Sequence, residues 1–180
     1  MGAIHQPEPV KLFVGMLAAR SEGFATAEEM LVARFGAEDF ASPELPFAWT
    51  DYYKGEMGEG LLRKFVSFER LIVPDAIADI KHATNAMEDD LAKRFPGGPK
   101  RPVNLDPGYL TLSKVVLATT KDYSHRLYLS AGIYAEVTLR FHKGRYDPWE
   151  WTYRDYRTDE YAAFFLDMRR KLTVQLKEVK

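Results

Sequence analysis

The chain contains no cysteine and carries almost no net charge, and both absences exclude classes of protein. Without cysteine it can form no disulfide, no thiolate metal site and no cysteine nucleophile. Its 25 Lys and Arg residues nearly balance 26 Asp and Glu residues. Proteins that grip the phosphate backbone usually carry a clear basic excess, so we expect no extended DNA binding. No apolar run approaches membrane-spanning length and the amino terminus lacks a signal-peptide pattern, so we expect a cytoplasmic protein that does not contact the membrane.

Motifs of several enzyme classes are also missing. The sequence contains no P-loop, no dinucleotide-binding fingerprint, no Gly-x-Ser-x-Gly elbow and no His-Glu-x-x-His. The glycine-rich segment Lys54–Gly60 follows an expected strand without opening a helix, which argues against a phosphate-binding loop. The four histidines lack the spacing of metal ligands, so we expect no zinc site.

Hydrophobic periodicity predicts an α+β fold in one domain spanning residues 1–180. Apolar runs predict strands at Val10–Ala19, Phe47–Tyr53, Lys64–Ile72, Tyr109–Thr119 and Ile133–Phe141, the second and third forming a hairpin, and helix signals predict helices from Thr26, Pro74 and Thr158. The first six elements then have the order of a ferredoxin-like β-α-β-β-α-β unit, extended by further antiparallel strands and a C-terminal helix. Within the run from Tyr109, Ser113–Ala118 could instead start a helical turn.

The stretch Asn104–Thr120 combines a turn signature with a dense set of polar side chains. Proline presets φ, glycine accepts positive φ and aspartate can bond to the following backbone, so Asp106-Pro107-Gly108 predicts a tight turn. Asn104 and Asp106 would then lie at a strand end, where scaffolds often present functional groups. The alternative is a loop with a structural role only.

Carboxylates fall on or beside the expected strands at Glu56, Glu69, Asp106 and Glu136. If two or three of them converged they could hold Mg²⁺ through oxygen ligands, and Glu56 and Asp106 are the candidates we favour. The alternative is that Glu69 and Glu136 alternate onto a solvated strand face.

His125 followed by Arg126 is the best candidate for acid–base chemistry or anion binding. Histidine titrates near neutral pH, and arginine can bind a carboxylate or phosphate with two parallel hydrogen bonds. Lys114 and Lys121 are close in sequence and could complete a small pocket that binds an anion. The alternative is a solvated loop.

Aromatic residues accompany both polar stretches, with Tyr52 and Tyr53 beside Thr50, and Tyr109 after the Asp-Pro-Gly sequence. These rings could stack on a base or another planar ligand. They could equally be core aromatics with paired hydroxyl groups.

Two motifs together carry a family resemblance: Phe47-x-x-Thr50-x-Tyr52-Tyr53-x-x-Glu56-Met57-Gly58 and Asn104-Leu-Asp-Pro-Gly-Tyr-Leu110. In a chain of this size they resemble the prokaryotic domain-of-unknown-function family 4416, over essentially the full length. The family has no established activity. Its members are sometimes labelled GTP-binding proteins, but this sequence lacks the Asn-Lys-x-Asp element that reads guanine.

These observations lead to two functional hypotheses. The first is a polar pocket for a phosphate-bearing small molecule, such as a nucleotide with Mg²⁺, and it includes catalysis as an option. Its catalytic residues would be His125, Asp106 and Glu56, its ligand-binding residues Thr50, Tyr52, Tyr53, Asn104, Tyr109, Lys114 and Arg126, and its metal ligands Glu56 and Asp106. The second is a non-catalytic module that binds RNA or protein through a sheet face or the aromatic segment Tyr146–Tyr156. Both motifs could also serve only to stabilise the fold.

Overall fold

An antiparallel sheet of nine strands runs through the computed structural model, which describes residues 2–178. The strands are β1 (Val10–Ala18), β2 (Glu38–Ala41), β3 (Leu45–Pro46), β4 (Leu62–Ile72), β5 (Val103–Leu110), β6 (Lys114–Thr119), β7 (Leu127–Ser130), β8 (Ile133–His142) and β9 (Arg145–Pro148). The α-helices of this range are α1 (Ser21–Phe35), α2 (Lys54–Met57), α3 (Ile77–Arg94) and α4 (Asp159–Glu178). The strand order is β2-β4-β1-β5-β6-β8-β7, with β3 paired to β4 and β9 to β8. The α+β class predicted from the sequence is confirmed.

Strand β1 lies inside the sheet between β4 and β5 and is buried along its whole length, because each of its faces is covered by helices. Leu12, Val14 and Met16 share one core with side chains of α1 and α3. Phe13 lies on the other face, where its ring packs edge-on against Phe165 of α4. The sheet therefore separates two cores, one under α1 and α3 and one under α4.

The C-terminal helix confirms its sequence prediction in start and face. Thr158 caps it, with its hydroxyl oxygen accepting the Tyr161 N–H at 3.4 Å. The apolar positions of its predicted stripe are all buried against the sheet: Tyr161, Phe164, Phe165, Met168, Leu172 and Leu176. The regular helical spacing of large side chains explains this agreement.

Asp106-Pro107-Gly108 does not form a turn, so that prediction was wrong. All three residues lie inside β5, where Asp106 is paired with Gly15 and Pro107 with Val14 of β1. Gly108 is required for close packing, since a Cβ atom there would lie 2.5 Å from both the Phe13 ring and the Val116 carbonyl oxygen. Tertiary packing, not turn conformation, explains the glycine.

The predicted strand Phe47–Tyr53 and its hairpin with the following strand were also wrong. The partners of β4 are β1, β2 and the two-residue β3. Beyond β3 the chain leaves the sheet and makes the short helix α2, because Phe47 and Met57 pack with Leu17 in a small core of their own. Local β-propensity was overridden by this packing.

Two further boundaries differ from the predictions. Helix α1 begins at Ser21, so Thr26 lies inside it and its hydroxyl donates to the Glu22 carbonyl instead of capping the helix. The run from Tyr109 is broken into β5 and β6 at Thr111, whose side-chain oxygen accepts the N–H groups of Ser113 and Lys114. A side chain that bonds to nearby backbone in this way favours a turn over a continuous strand.

No helix within residues 2–178 combines the length and the apolar character that crossing a membrane requires.

Candidate functional site

The sheet opens between β5 and β6, and a cavity lies at this gap. The two strands pair only over residues 108–110 and 115–117, so the first half of β5 has a strand partner, β1, on one side only. The resulting cleft has a volume of about 1110 Å³. Its walls come from the segment after β3, from the β6–β7 loop, from residues 151–157 and from one face of α3.

Two side chains of α3 form the hydrogen bonds to the β5 backbone that a neighbouring strand would otherwise form. Lys81 Nζ donates to the Leu105 carbonyl oxygen at 2.9 Å, and Glu88 Oε1 accepts the Leu105 N–H at 2.7 Å. The polar backbone groups exposed by the gap are thereby satisfied, as burial requires. Burial raises the pKa of Glu88, although Lys81 and Arg101 act in the opposite direction.

A buried arginine organises the cleft wall on the β1 side. Arg63 of β4 contacts Asp106 with Nη1 at 3.3 Å and Asp155 with Nη2 at 3.2 Å. Asn104 Nδ2 donates to the same Asp106 oxygen at 2.7 Å. Burial alone would lower the pKa of Arg63, but neighbouring Tyr156, Asp155 and Asp106 outweigh it and raise the pKa. Arg63 therefore stays charged between two carboxylates.

A second ionic cluster lies at the opposite wall, around the buried carboxylate of Glu136 on β8. Its Oε2 accepts from Arg126 Nε at 2.8 Å and lies 3.3 Å from His125 Nε2, while Oε1 accepts from the Thr138 hydroxyl at 3.2 Å. Arg126 Nη2 also donates to the Tyr153 hydroxyl at 2.6 Å. Burial, with a further contribution from Glu136, raises the pKa of Tyr153 to about 12.

Aromatic rings surround this second cluster and reach the cleft mouth. His125 is stacked between Tyr123 and Trp151, at ring-centroid distances of 6.1 and 5.4 Å. Lys121 Nζ lies 4.3 Å from the ring centroid of Tyr52 and donates to its hydroxyl at 2.8 Å. This last contact joins the segment after β3 to the β6–β7 loop across the cleft.

The structure brings most of the predicted site residues to this cleft. Those that line it are Thr50, Tyr52, Tyr53, Glu56, Asn104, Asp106, His125 and Arg126. Tyr109 and Lys114 do not, and line a separate cavity of about 400 Å³ near the C-terminal end of α4. Tyr109 follows Asp106 by three residues and so faces the opposite side of the sheet, while Lys114 follows the hairpin at the far end of β5.

Sequence reasoning missed several residues that hold the cleft together. Arg63, Lys81, Glu88 and Asp155 were not selected, although all are buried polar groups. Lys81 and Glu88 are two turns apart on the buried face of α3. A Lys and a Glu at positions of an apolar stripe could have identified them, because charged residues are rarely buried without a partner. Arg63 and Asp155 gave no local signal, because they are 92 residues apart.

Both predicted metal ligands, Glu56 and Asp106, line the cleft. Within residues 2–178 no three His, Asp or Glu side chains are placed to hold a metal ion together. Glu56 contacts Arg101 at 3.4 Å and Asp106 contacts Arg63, so each is paired with an arginine. Glu69 is exposed, as the solvated-face alternative predicted, but that alternative was wrong for Glu136, which is buried.

Cations outnumber carboxylates along the cleft. The basic side chains that line it are Arg63, Lys81, Lys100, Arg101, Lys121, Arg126, Arg154 and Arg157, and the acidic ones are Glu56, Glu88, Asp89, Asp106, Glu136 and Asp155. Lys121 and Arg154 have no carboxylate partner within the described chain, and Arg157 donates to backbone carbonyl oxygens. The excess positive charge fits an anionic ligand.

Comparison with known proteins gives a family and no function. Neither the search of curated proteins nor the search of solved structures found a match. One family model matches residues 8–172, under the description "Domain of unknown function (DUF4416)". The chain therefore belongs to this family, DUF4416, as the two motifs had predicted.

Proposed function

We propose that the protein binds a small phosphate-bearing molecule in the cleft between β5 and β6. The observation that carries the proposal is the excess of cations along the cleft, in which Lys121 and Arg154 lack a carboxylate partner within residues 2–178. A phosphate group offers several acceptor oxygens to such side chains and gains charge-assisted hydrogen bonds from them.

The cleft also offers surfaces for the rest of such a ligand. Its volume of about 1110 Å³ is large enough for a nucleotide-sized molecule. Trp49 and Tyr52 line it with exposed rings, on which a base or another planar group could stack. A nucleotide would bring its own Mg²⁺ on its phosphate oxygens, which is the usual way in which this ion enters nucleotide sites.

The test is a thermal-shift screen against nucleotides, sugar phosphates and inorganic phosphate, each with and without Mg²⁺. A ligand that binds the native state raises its melting temperature by mass action. We expect one ligand class to raise the Tm of the wild type, and Lys121→Ala and Arg154→Ala to reduce that shift. Arg70→Ala is the matched control, because Arg70 is exposed and lies outside the cleft. Equal shifts in cleft and control variants, or no shift with any ligand, would contradict the proposal.

A protein-interaction module is the second candidate, favoured by the edge strand β7. This strand ends the sheet and exposes Leu127, Tyr128 and Leu129, at 74, 60 and 40% of their full accessible area. An edge strand with exposed apolar side chains can pair with another chain. If a second copy is the partner, sedimentation should show concentration-dependent association that Leu127→Lys removes. A monomer at all concentrations would exclude this form of the proposal.

We also propose that the first half of the chain is a ferredoxin-like unit. Support comes from the strand order β2-β4-β1-β5 and from α1 and α3, which connect β1 to β2 and β4 to β5 and pack on one face. A cytoplasmic location stays a prediction that fractionation of cells expressing the tagged protein would test.

A further inference from the structure

His125 is held in one orientation by groups on three sides. Its ring is nearly parallel to the rings of Tyr123 and Trp151, with an interplanar angle of 14° in both pairs. Its Nε2 lies 3.3 Å from Glu136 Oε2. The side chain is 20% exposed and faces the cleft. Such restraint is typical of a side chain whose position matters to a ligand.

The contact with Glu136 decides which ring nitrogen carries the proton. A carboxylate oxygen only accepts hydrogen bonds, so Nε2 must donate to it. In the neutral ring the other nitrogen, Nδ1, then keeps its lone pair. No polar group within residues 2–178 bonds to Nδ1. The cleft is therefore lined by an oriented imidazole whose Nδ1 has no hydrogen-bond partner within residues 2–178.

Glu136 is itself fixed, which makes it a positioning residue for the ring. Arg126 Nε donates to the carboxylate oxygen that contacts His125, and the Thr138 hydroxyl donates to the other. In catalytic histidines, the ring nitrogen that does not accept the proton is commonly held by a carboxylate in this way. The titratable and charged groups facing His125 are therefore Glu136, the Arg126 that neutralises it, and Tyr123.

We infer that His125 is a general base that activates water to hydrolyse a phosphate ester or anhydride bound in the cleft. His125 Nδ1 accepts a proton from water as the water oxygen forms a bond to phosphorus. The bond between phosphorus and the leaving oxygen breaks, the leaving oxygen takes a proton from solvent, and His125 later releases its proton to solvent. The products are the protonated leaving group, which is an alcohol or a phosphate, and the phosphate or phosphate monoester that has gained the water oxygen. This inference rests on the proposed phosphate-ligand function and names its reaction.

Hydrolysis is tested with para-nitrophenyl phosphate, bis-para-nitrophenyl phosphate, nucleoside triphosphates and a hexose phosphate, measuring nitrophenolate or inorganic phosphate with and without Mg²⁺. We expect turnover of at least one class. His125→Asn should lower kcat by about 100-fold or more, as removal of a general base does, with little change in KM. The matched control is His142→Asn, since His142 also pairs with a carboxylate, Asp147, but is exposed and lies outside the cleft.

The positioning role of Glu136 has a readout that does not need a substrate. Nitrogen-15 NMR of the histidine side chains distinguishes the two neutral tautomers, and His125→Asn assigns the signal. We expect the Nε2–H form in the wild type and a mixture in Glu136→Gln, whose pH–rate profile should also change. A wild-type Nδ1–H form would overturn the inference.

The outcomes separate this inference from the function on which it rests. Ligand binding in the thermal-shift screen without hydrolysis of any substrate overturns the inference and leaves the binding proposal in place. Undiminished hydrolysis by His125→Asn overturns it as well. If the protein neither binds any ligand of the screen nor hydrolyses any substrate, both the inference and the binding proposal are overturned.

Discussion

Arg63 contacts Asp106 across an intervening strand, over the position where β1 has Gly15. The two residues lie on β4 and β5, on either side of β1, with Nη1 and Oδ2 3.3 Å apart. A Cβ atom on Gly15 would lie 3.2 Å from that Nη1 and 2.9 Å from the Phe65 ring. The missing side chain therefore provides the space in which the ionic cluster of the cleft forms.

Gly15→Ala should consequently destabilise the protein by about 1–3 kcal/mol, the usual cost of inserting a methyl group into a packed core. Urea unfolding measures this free energy. Gly55→Ala is the control, since a Cβ there meets nothing within 4 Å and its φ is not positive, so it should be neutral or slightly stabilising. Equal stability of the two variants would show that the space at Gly15 has no structural role.

Arg63→Met should lower the unfolding free energy more than Gly15→Ala does, because it leaves Asp106 and the buried Asp155 without their shared cation. Removing one partner of a buried ion pair costs about 3–5 kcal/mol. The double variant Arg63→Met/Asp155→Asn should recover part of that loss, since burial raises the pKa of Asp155 and its charge is costly without Arg63.

The comparison for Arg63 is an exposed ion pair elsewhere on the surface. Arg145 lies 2.7 Å from Asp147 but is 78% exposed. Arg145→Met should change the unfolding free energy by less than about 1 kcal/mol, because water screens exposed charges. If Arg145→Met lowered the unfolding free energy as much as Arg63→Met, burial would not determine the strength of these ion pairs.

Glu88 should make stability depend on pH in a defined direction. Burial raises its pKa above the ordinary value of 4.5, so the folded state holds the proton more tightly than the unfolded state. Its stabilising contribution is then complete below pH 4.5 and is lost as pH rises through the raised pKa. Glu88→Gln keeps an acceptor for the Leu105 N–H and should lack this decrease. Urea unfolding from mildly acidic to neutral pH measures the difference, and parallel curves would contradict the assignment.

Sequence reasoning succeeded where local periodicity and tertiary packing agree. The strands β1 and β4 and the stripe of α4 were predicted because runs rich in apolar residues mark the two strands and regular helical spacing marks the helix. Asp106-Pro107-Gly108 failed for the opposite reason. Its turn propensity is real, but pairing with β1 and the close approach of Phe13 to Gly108 outweigh it.

The candidate site was predictable in part for a related reason. His125 and Arg126 are adjacent in sequence, and Asn104 and Asp106 share a strand face, so short motifs identify them. Arg63 and Asp155 meet only because the sheet and the segment before α4 bring them together, and Lys81 acts on a backbone group that no sequence pattern marks. Contacts of this kind follow from topology.

Tyr52→Phe tests the contact that joins the two sides of the cleft mouth. The change keeps the ring on which Lys121 lies but removes the hydroxyl to which Lys121 Nζ donates at 2.8 Å. Tyr52 is exposed, so the unfolding free energy should change by less than about 0.5 kcal/mol. Lys121 would be released toward the cleft, and affinity for the phosphate ligand of the thermal-shift screen, measured by calorimetry, should stay equal or rise. A fall in affinity of tenfold or more would instead mean that the Tyr52 hydroxyl itself binds the ligand.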